Sequence, residues 1–334
     1  MKKVISTVFV LLSIISLSVA QESNLKEDYS AYLNEVRNFN KFIRQMPEPE
    51  SVLTKEGLEK SRKMMKAYIN ANAVQKSSKK NIPGPGGNIP LMIFKPDTVR
   101  AVVLDIHGGG WILGEPANDA DFNDELARTA KVAVVSVDYR LAPEFPFTAC
   151  IDDCKAAAKW LLNNSTKEFG TDKIFLSGGS AGAHLAAVTT LYIRDSLKAI
   201  DKIKGVNLVY GVYDLDRTPS HRQATDSSML TKKAMDEIFQ LVFKGWSKQQ
   251  LESPAYSPLY AELHGLPPAL FTIGAIDPLA DDTYFMEARW RMAGNKTFLA
   301  VYPESGHGVD LFPTQMGKMA KKKMIQWIGD LCKQ

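Results

Sequence analysis

Two hydrophobic rhythms divide the chain. Early on, Leu25, Tyr29, Tyr32, Leu33, Val36, Phe39 and Ile43 recur at three- and four-residue intervals, which describes an amphipathic helix ending near Met46-Pro47; Leu58, Met65, Tyr68 and Ile69 suggest another. Both precede any strand, so their apolar faces must cover something built later in the chain. A stretch rich in Lys, Gly and Pro at 76–90 marks a boundary. Beyond it, short apolar runs at 91–94, 101–106, 132–137, 174–176, 206–209, 270–273 and 298–301 are separated by helix-compatible segments. That alternation predicts a mostly parallel sheet with helices on both faces, a class in which ligands bind beyond the carboxyl ends of the strands.

Two of these runs end in candidate chemistry. The run at 174–176 leads into Gly178-Gly179-Ser180-Ala181-Gly182, followed by an alanine-rich, helix-forming segment. This is the G-x-S-x-G form of a nucleophile elbow, a sharp strand-to-helix turn that exposes the serine Oγ. Gly178 and Gly182 lack a Cβ because strand and helix nearly touch there, and Ser180 is expected to carry strained dihedrals. The run at 101–106 continues into His107-Gly108-Gly109-Gly110-Trp111. Three consecutive glycines let the backbone approach a ligand and turn N–H groups inward, as an oxyanion hole requires. A flexible turn is the bland alternative; the position at a strand end, upstream of the elbow, weighs against it.

With both motifs in this order, the chain resembles the hormone-sensitive-lipase-like family of α/β-hydrolase esterases. The resemblance runs from about Pro83 to the carboxyl end. It rests on GPGGNIPLMIFKP before the core, HGGGW, DYRLAPEFPF at 138–147, the elbow, LPPAL followed by Asp277-Pro278-Leu279, and a histidine near the end. It implies an α/β-hydrolase fold with a mostly parallel eight-stranded sheet. A helical cap would come from 21–80 and 212–252, over a catalytic core of 81–211 and 253–334. One position departs: the family has Asp or Thr just before the nucleophile and this chain has Gly179, which puts in question any contact such a side chain makes.

A serine hydroxyl attacks only when a positioned base takes its proton, and that base needs an anionic orienter. In this fold the order is Ser, acid, His. Beyond His184 the histidines are His221, His264 and His307. His307 follows the last strand and matches the family's base; His221, in the implied cap, and His264, before Gly265-Leu266-Pro267, read as surface or loop residues. Asp277, after the 270–273 run and before Pro278, is the family's acid. Asp281 and Asp282, read as caps of the next helix, and Asp214 are its competitors. The oxyanion donors would be the N–H groups of Gly109, Gly110 and Ala181. His184 reads as a packed helix residue, and His107 as a structural one that fixes the glycine loop.

The resemblance implies hydrolysis of short- to medium-chain acyl esters through an acyl-enzyme, a small-molecule ester as substrate, no cofactor or metal, and a homodimer through an edge strand. A deacetylase of acetylated sugars, an amidase or peptidase, and a non-catalytic binder on the same scaffold are the alternatives.

Composition adds bounds. With 334 residues, 45% hydrophobic and 23% charged, the chain suits one large domain with a smaller subdomain. Residues 1–20 stand apart: Lys2 and Lys3, an apolar run at 4–17, then Ser18-Val19-Ala20. This reads as a secretory signal peptide cleaved before Gln21 rather than a retained anchor, so no stable membrane insertion and an exported location are expected. A net charge of +4, with lysine runs not interleaved with aromatics, argues against a nucleic-acid partner. Of Cys150, Cys154 and Cys332, an odd count excludes full pairing. The first two, four apart in a predicted helix, read as apolar packing, with one disulfide left open in an oxidising compartment.

Overall fold

Strands that are apolar at nearly every position can only lie at the centre of a sheet covered on both sides. β4 (Ala101–Ile106) and β5 (Val132–Val137) meet that condition, buried at all six residues each. The computed structural model describes residues 22–23, 28–224 and 229–333; the segment read as a leader, 1–20, lies outside the described residues. Besides those two, the described strands are β1 (Glu22–Ser23), β2 (Ser78–Gly84), β3 (Gly87–Phe94), β6 (Ile174–Gly179), β7 (Ile203–Val209), β8 (Ala269–Gly274) and β9 (Thr297–Tyr302). They form one nine-stranded sheet in the order β1-β9-β8-β7-β6-β4-β5-β3-β2. Eight strands make the expected, mostly parallel sheet; two-residue β1 pairs in parallel along the outer edge of β9. β4 lies between β5 and β6, so the chain switches direction across the sheet at β4. The loops leaving β4 and β6 therefore emerge side by side, Ile106 being in register with Gly178.

Most of the stretch read as a boundary, 76–90, is built into the sheet. β2 and β3 form an antiparallel hairpin from Ser78↔Ile93 to Gly84↔Gly87. β2 buries only Ile82 and exposes Lys79, Lys80 and Pro83 in part or in full. Polar side chains and proline suit an edge strand and erase the period-two signal.

Helices α1 (Leu33–Arg44), α2 (Lys55–Ala67) and α3 (Ala71–Val74) lie between β1 and β2. α4 (Ala120–Ala130), α5 (Phe147–Phe169) and α6 (Ala181–Tyr192) connect the central strands, α7 (Pro219–Gln223), α8 (Lys232–Val242) and α9 (Lys248–Leu251) fall between β7 and β8, and α10 (Ala280–Met292) and α11 (Gln315–Leu331) complete the chain. α6 is buried from Ala181 to Leu191, which its small side chains permit by letting the helix lie close on β6. In β6 itself Phe175 and Leu176, which point to opposite faces of the sheet, are both fully buried, each worth about 1.5–3 kcal/mol of transfer free energy. α1 starts later than the periodicity suggests, at Leu33, and α2 stops before Tyr68, which is 71% exposed.

What α1 covers is the loop after β9. Arg37 pairs with Glu304 through Nε and Nη2, Nε lying 2.6 Å from Oε2. Asn40 Nδ2 donates to the Glu304 carbonyl at 2.8 Å, and Phe39 packs on Phe312 with centroids 4.6 Å apart. The exposed ion pair contributes little by itself; the aromatic contact and buried Asn40 fix the geometry. The three thiols are free and buried, so no disulfide forms within the described residues, and Cys150 Sγ donates to the Phe147 carbonyl.

Candidate active site

Ser180 stands at φ 56°, ψ −123°, in the sterically restricted turn that the motif demands. Its N–H donates to Val209 O of β7 at 2.8 Å, while its carbonyl accepts from Ala183 and His184 to start α6. The two flanking glycines are compulsory. A Cβ on Gly178 would lie 2.4 Å from the Gly182 backbone, and one on Gly182 would lie 1.9 Å from Ile106 O.

Three residues distant in sequence meet above the sheet. His307 Nε2 lies 3.0 Å from Ser180 Oγ, and His307 Nδ1 lies 2.9 Å from Asp277 Oδ2. A carboxylate can only accept, so Nδ1 carries the proton and Nε2 is free to accept from the hydroxyl. Asp277 is buried, and its other oxygen accepts from Leu279 N at 2.8 Å. The β8 and β9 loops are locked together: Ile276 N donates to Ser305 O at 3.1 Å, and a Cβ on Gly274 would meet Ser305 O at 2.2 Å.

The glycine loop passes directly over the nucleophile. A Cβ on Gly108 would lie 3.5 Å from Ser180 Cβ. Gly109 and Gly110 take φ 114° and 60°, and the Gly109 carbonyl accepts from Ile112 and Leu113, folding the loop back on itself. Ala181 opens α6, so its N–H has no acceptor within the helix. His107 Nδ1 donates to Gly108 O at 2.8 Å, its carbonyl accepts from Tyr139 Oη, and its ring stacks on Tyr139 at 4.1 Å, in keeping with a structural role. The DYRLAPEFPF segment thus holds the glycine loop: Ala142 N donates to Trp111 O, and Arg140 engages Asp153 through two bonds of 2.8 Å. From α2, Arg62 donates to the carbonyls of Ile112 and Ala142 and joins the two segments.

The other candidates lie elsewhere. Asp281 and Asp282 sit in the first turn of α10 but, contrary to expectation, serve a different loop. Asp282 accepts from Tyr213 N, Asp214 N and Thr218 Oγ1, and Asp281 from Ser220 N. A carboxylate pointing off its helix finds three donors at the β7 exit, more than the helix start would offer it. Asp214 accepts from Asp216 N. His264 is on the surface beside Glu262. His221 is not: it is fully buried against Phe239, ring centroids 4.8 Å apart. Sequence reasoning missed Tyr210, whose ring lies 4.6 Å from that of His307, and its partner Asp310. No spacing signal links residues a hundred apart. Among the described residues, no group of three or more His, Cys, Asp or Glu is arranged to hold a metal ion.

His184 is packed, as read. It accepts from Trp111 Nε1 at 3.3 Å through Nδ1 and donates to Tyr256 O at 2.6 Å through Nε2. Burial pulls its pKa down to about 4. An unfolded chain takes up this proton from about pH 6.5 downward, so between those values the unfolded state binds more protons and acidification costs stability. We expect a His184→Gln variant, which cannot take up the proton, to lose less thermal midpoint than the wild type between pH 6.5 and pH 4. Asp282, pushed up to about 7 by burial, acts in the opposite sense in both proteins and cancels in the comparison. Parallel acid losses would refute the assignment.

Comparison with known proteins identifies the family. A family profile described as alpha/beta hydrolase fold matches residues 103–311. Carboxylic ester hydrolase LipN of Mycobacterium tuberculosis is 35% identical over 253 residues, 72% of this chain and 66% of that protein. Carboxylesterase NlhH of the same organism is 34% identical over 238 residues, 66% of this chain and 71% of that protein. The solved esterase of Pyrobaculum calidifontis superposes with a TM-score of 0.77 at 30% identity, over 88% of this chain and 98% of its own. Since the profile match begins in β4 and ends beyond His307, the chain belongs to the alpha/beta-hydrolase fold family, in its hormone-sensitive-lipase-like branch.

Proposed function

We propose that the chain is a serine carboxylesterase acting on short- to medium-chain acyl esters. The observation that carries this reading is the continuous hydrogen-bonded relay from Ser180 Oγ through His307 to buried Asp277. His307 Nε2 takes the hydroxyl proton as Oγ attacks the ester carbonyl. The oxyanion so formed is bound by the N–H groups of Gly109, Gly110 and Ala181, each worth about 3 kcal/mol in the transition state. Collapse expels the alkoxide, which receives the proton from His307. Water, deprotonated by the same nitrogen, then attacks the acyl-enzyme, and the carboxylic acid leaves with Ser180 restored. Asp277 keeps the imidazole in the required tautomer throughout and stabilises its protonated form.

The preference for modest acyl chains is supported by what stands over the glycine loop. A Cβ on Gly110 would touch Ile238 of α8 at 3.1 Å. Phe239 of the same helix and Phe243 just past its end pack on Trp111 at 6.0 and 5.5 Å. We take 21–80 and 212–252 as the cap, with the aromatic run of α8 serving mainly to seat it and so limiting the space beside the oxyanion site. Residues 1–20 would direct the enzyme to export.

The test is a p-nitrophenyl ester series from acetate to palmitate with matched anilides, run beside labelling by a fluorophosphonate. Turnover that peaks at or below octanoate, absent for anilides and accompanied by labelling, is expected. Binding without labelling would favour a ligand-binding scaffold, and anilide turnover an amidase.

A further inference from the structure

The elbow position ahead of the nucleophile is filled from outside the elbow. A Cβ on Gly179 would lie 3.3 Å from Tyr210 Cε2 and 3.4 Å from Tyr210 Oη, so the phenol ring holds the space a side chain at 179 would use. The same ring lies against the imidazole of His307, centroids 4.6 Å apart and planes at 60°. Its hydroxyl donates to Asp310 Oδ1 at 2.6 Å, both residues being buried. Asp310 belongs to the 3₁₀ turn Val309–Leu311 that follows His307, and the phenol thus ties the end of β7 to the histidine loop. Tyr210 is held at φ 38° with its N–H on Thr272 O at 2.7 Å. A bulky residue adopts that conformation only where its surroundings compel it.

We propose that Tyr210, strapped by Asp310, is a positioning residue for His307: its ring sets the tilt at which Nε2 meets Ser180 Oγ, from the space that a side chain at 179 would otherwise fill. This rests on the esterase reading above. An imidazole hydrogen-bonded at both nitrogens can still rock about the line joining them, and a ring held against it at this distance restricts that freedom. The charged and titratable groups around it are Asp277 from the β8 loop and Asp310 and Tyr210 as described, with Lys321 of α11 and Asp119 acting on Asp310 from behind. The negative charge at 310 favours the imidazolium formed during attack. Burial pushes the Asp310 carboxyl up, and loss of the phenolic donor that otherwise holds it down pushes it further, so less charge remains at 310 to favour the imidazolium.

The experiment is steady-state hydrolysis of p-nitrophenyl acetate from pH 5 to 9 by wild type, Ser180→Ala, Tyr210→Phe, Tyr210→Leu, Asp310→Asn and Gly179→Asp, with circular dichroism and thermal midpoints. For Tyr210→Phe we expect kcat to fall about tenfold with KM unchanged and the acid limb to move to lower pH by roughly half a unit. Tyr210→Leu loses more kcat because the ring itself is gone. Asp310→Asn, which keeps an acceptor for the phenol, moves the acid limb the same way and carries the readout if Tyr210→Phe does not fold. Gly179→Asp lowers kcat, since one phenolic hydrogen cannot serve two carboxylates. A wild type that is inert, or a Ser180→Ala variant as active as wild type, would overturn the esterase reading and this inference with it. An active wild type whose Tyr210→Phe and Asp310→Asn variants keep kcat and acid midpoint overturns the inference alone. So does a drop in thermal midpoint with an unmoved pH profile, the mark of a purely structural tyrosine.

Discussion

Ser180→Ala loses ester turnover by roughly six orders of magnitude in kcat, the scale seen when a serine nucleophile is removed from a comparable relay. The change is clean because it leaves the elbow unstressed. Alanine keeps the Cβ that already tolerates φ 56°, the contacts of Gly178 and Gly182 are untouched, and only Oγ disappears. His307 then has no hydroxyl to deprotonate, and what survives comes from substrate binding and the backbone donors, a residual of about 10³ to 10⁴ over water. Initial rates with p-nitrophenyl acetate, alongside unchanged circular dichroism, measure it. Turnover above a few per cent of wild type would remove Ser180 from the chemistry.

Gly182→Ala acts on the fold rather than on the reaction. The added methyl group would overlap Ile106 O at 1.9 Å and His107 O at 2.7 Å. Both are backbone atoms at the end of β4, a strand hydrogen-bonded on both sides, so neither can yield. α6 must instead lift from the sheet, uncovering part of a face that is buried along its length, at a cost of about 3 kcal/mol or more. The same lift carries Ser180 away from the glycine loop, so activity falls with stability. Gly179→Ala meets only the Tyr210 ring, at 3.3 Å, and is expected to lose far less. Equal thermal midpoints for the two variants would show that the close approach at Gly182 is not a constraint.

The parts of this molecule legible in the sequence are those whose cause is local. Seven apolar runs announce seven strands because burial on both faces demands unbroken hydrophobicity, and the glycines of the elbow and the 107–111 loop announce themselves because no other residue fits. Asp277 and His307 were reachable through chain order and motif. β2 was not legible, since an edge strand with one buried residue carries neither period nor run. Asp282 read as a helix cap because its spacing fits one, yet its bonds go to a loop 64 to 69 residues away. Tyr210 and Asp310 ended no run and matched no motif. Their pairing exists only because β7 and the turn after β9 open on the same rim of the sheet.

The clasp of α1 on the histidine loop and the start of α11 joins residues far apart in the chain, Arg37 to Glu304 across 267 positions and Glu35 to Gln315 across 280. Closing so long a loop forfeits much chain entropy before any contact repays it, and contacts of this kind form late. On dilution from denaturant, helical ellipticity is therefore expected to return first, with hydrolytic competence recovered only in a slower phase, when the opening residues find the closing ones. An unfinished chain would thus be inert toward esters it meets before it has matured.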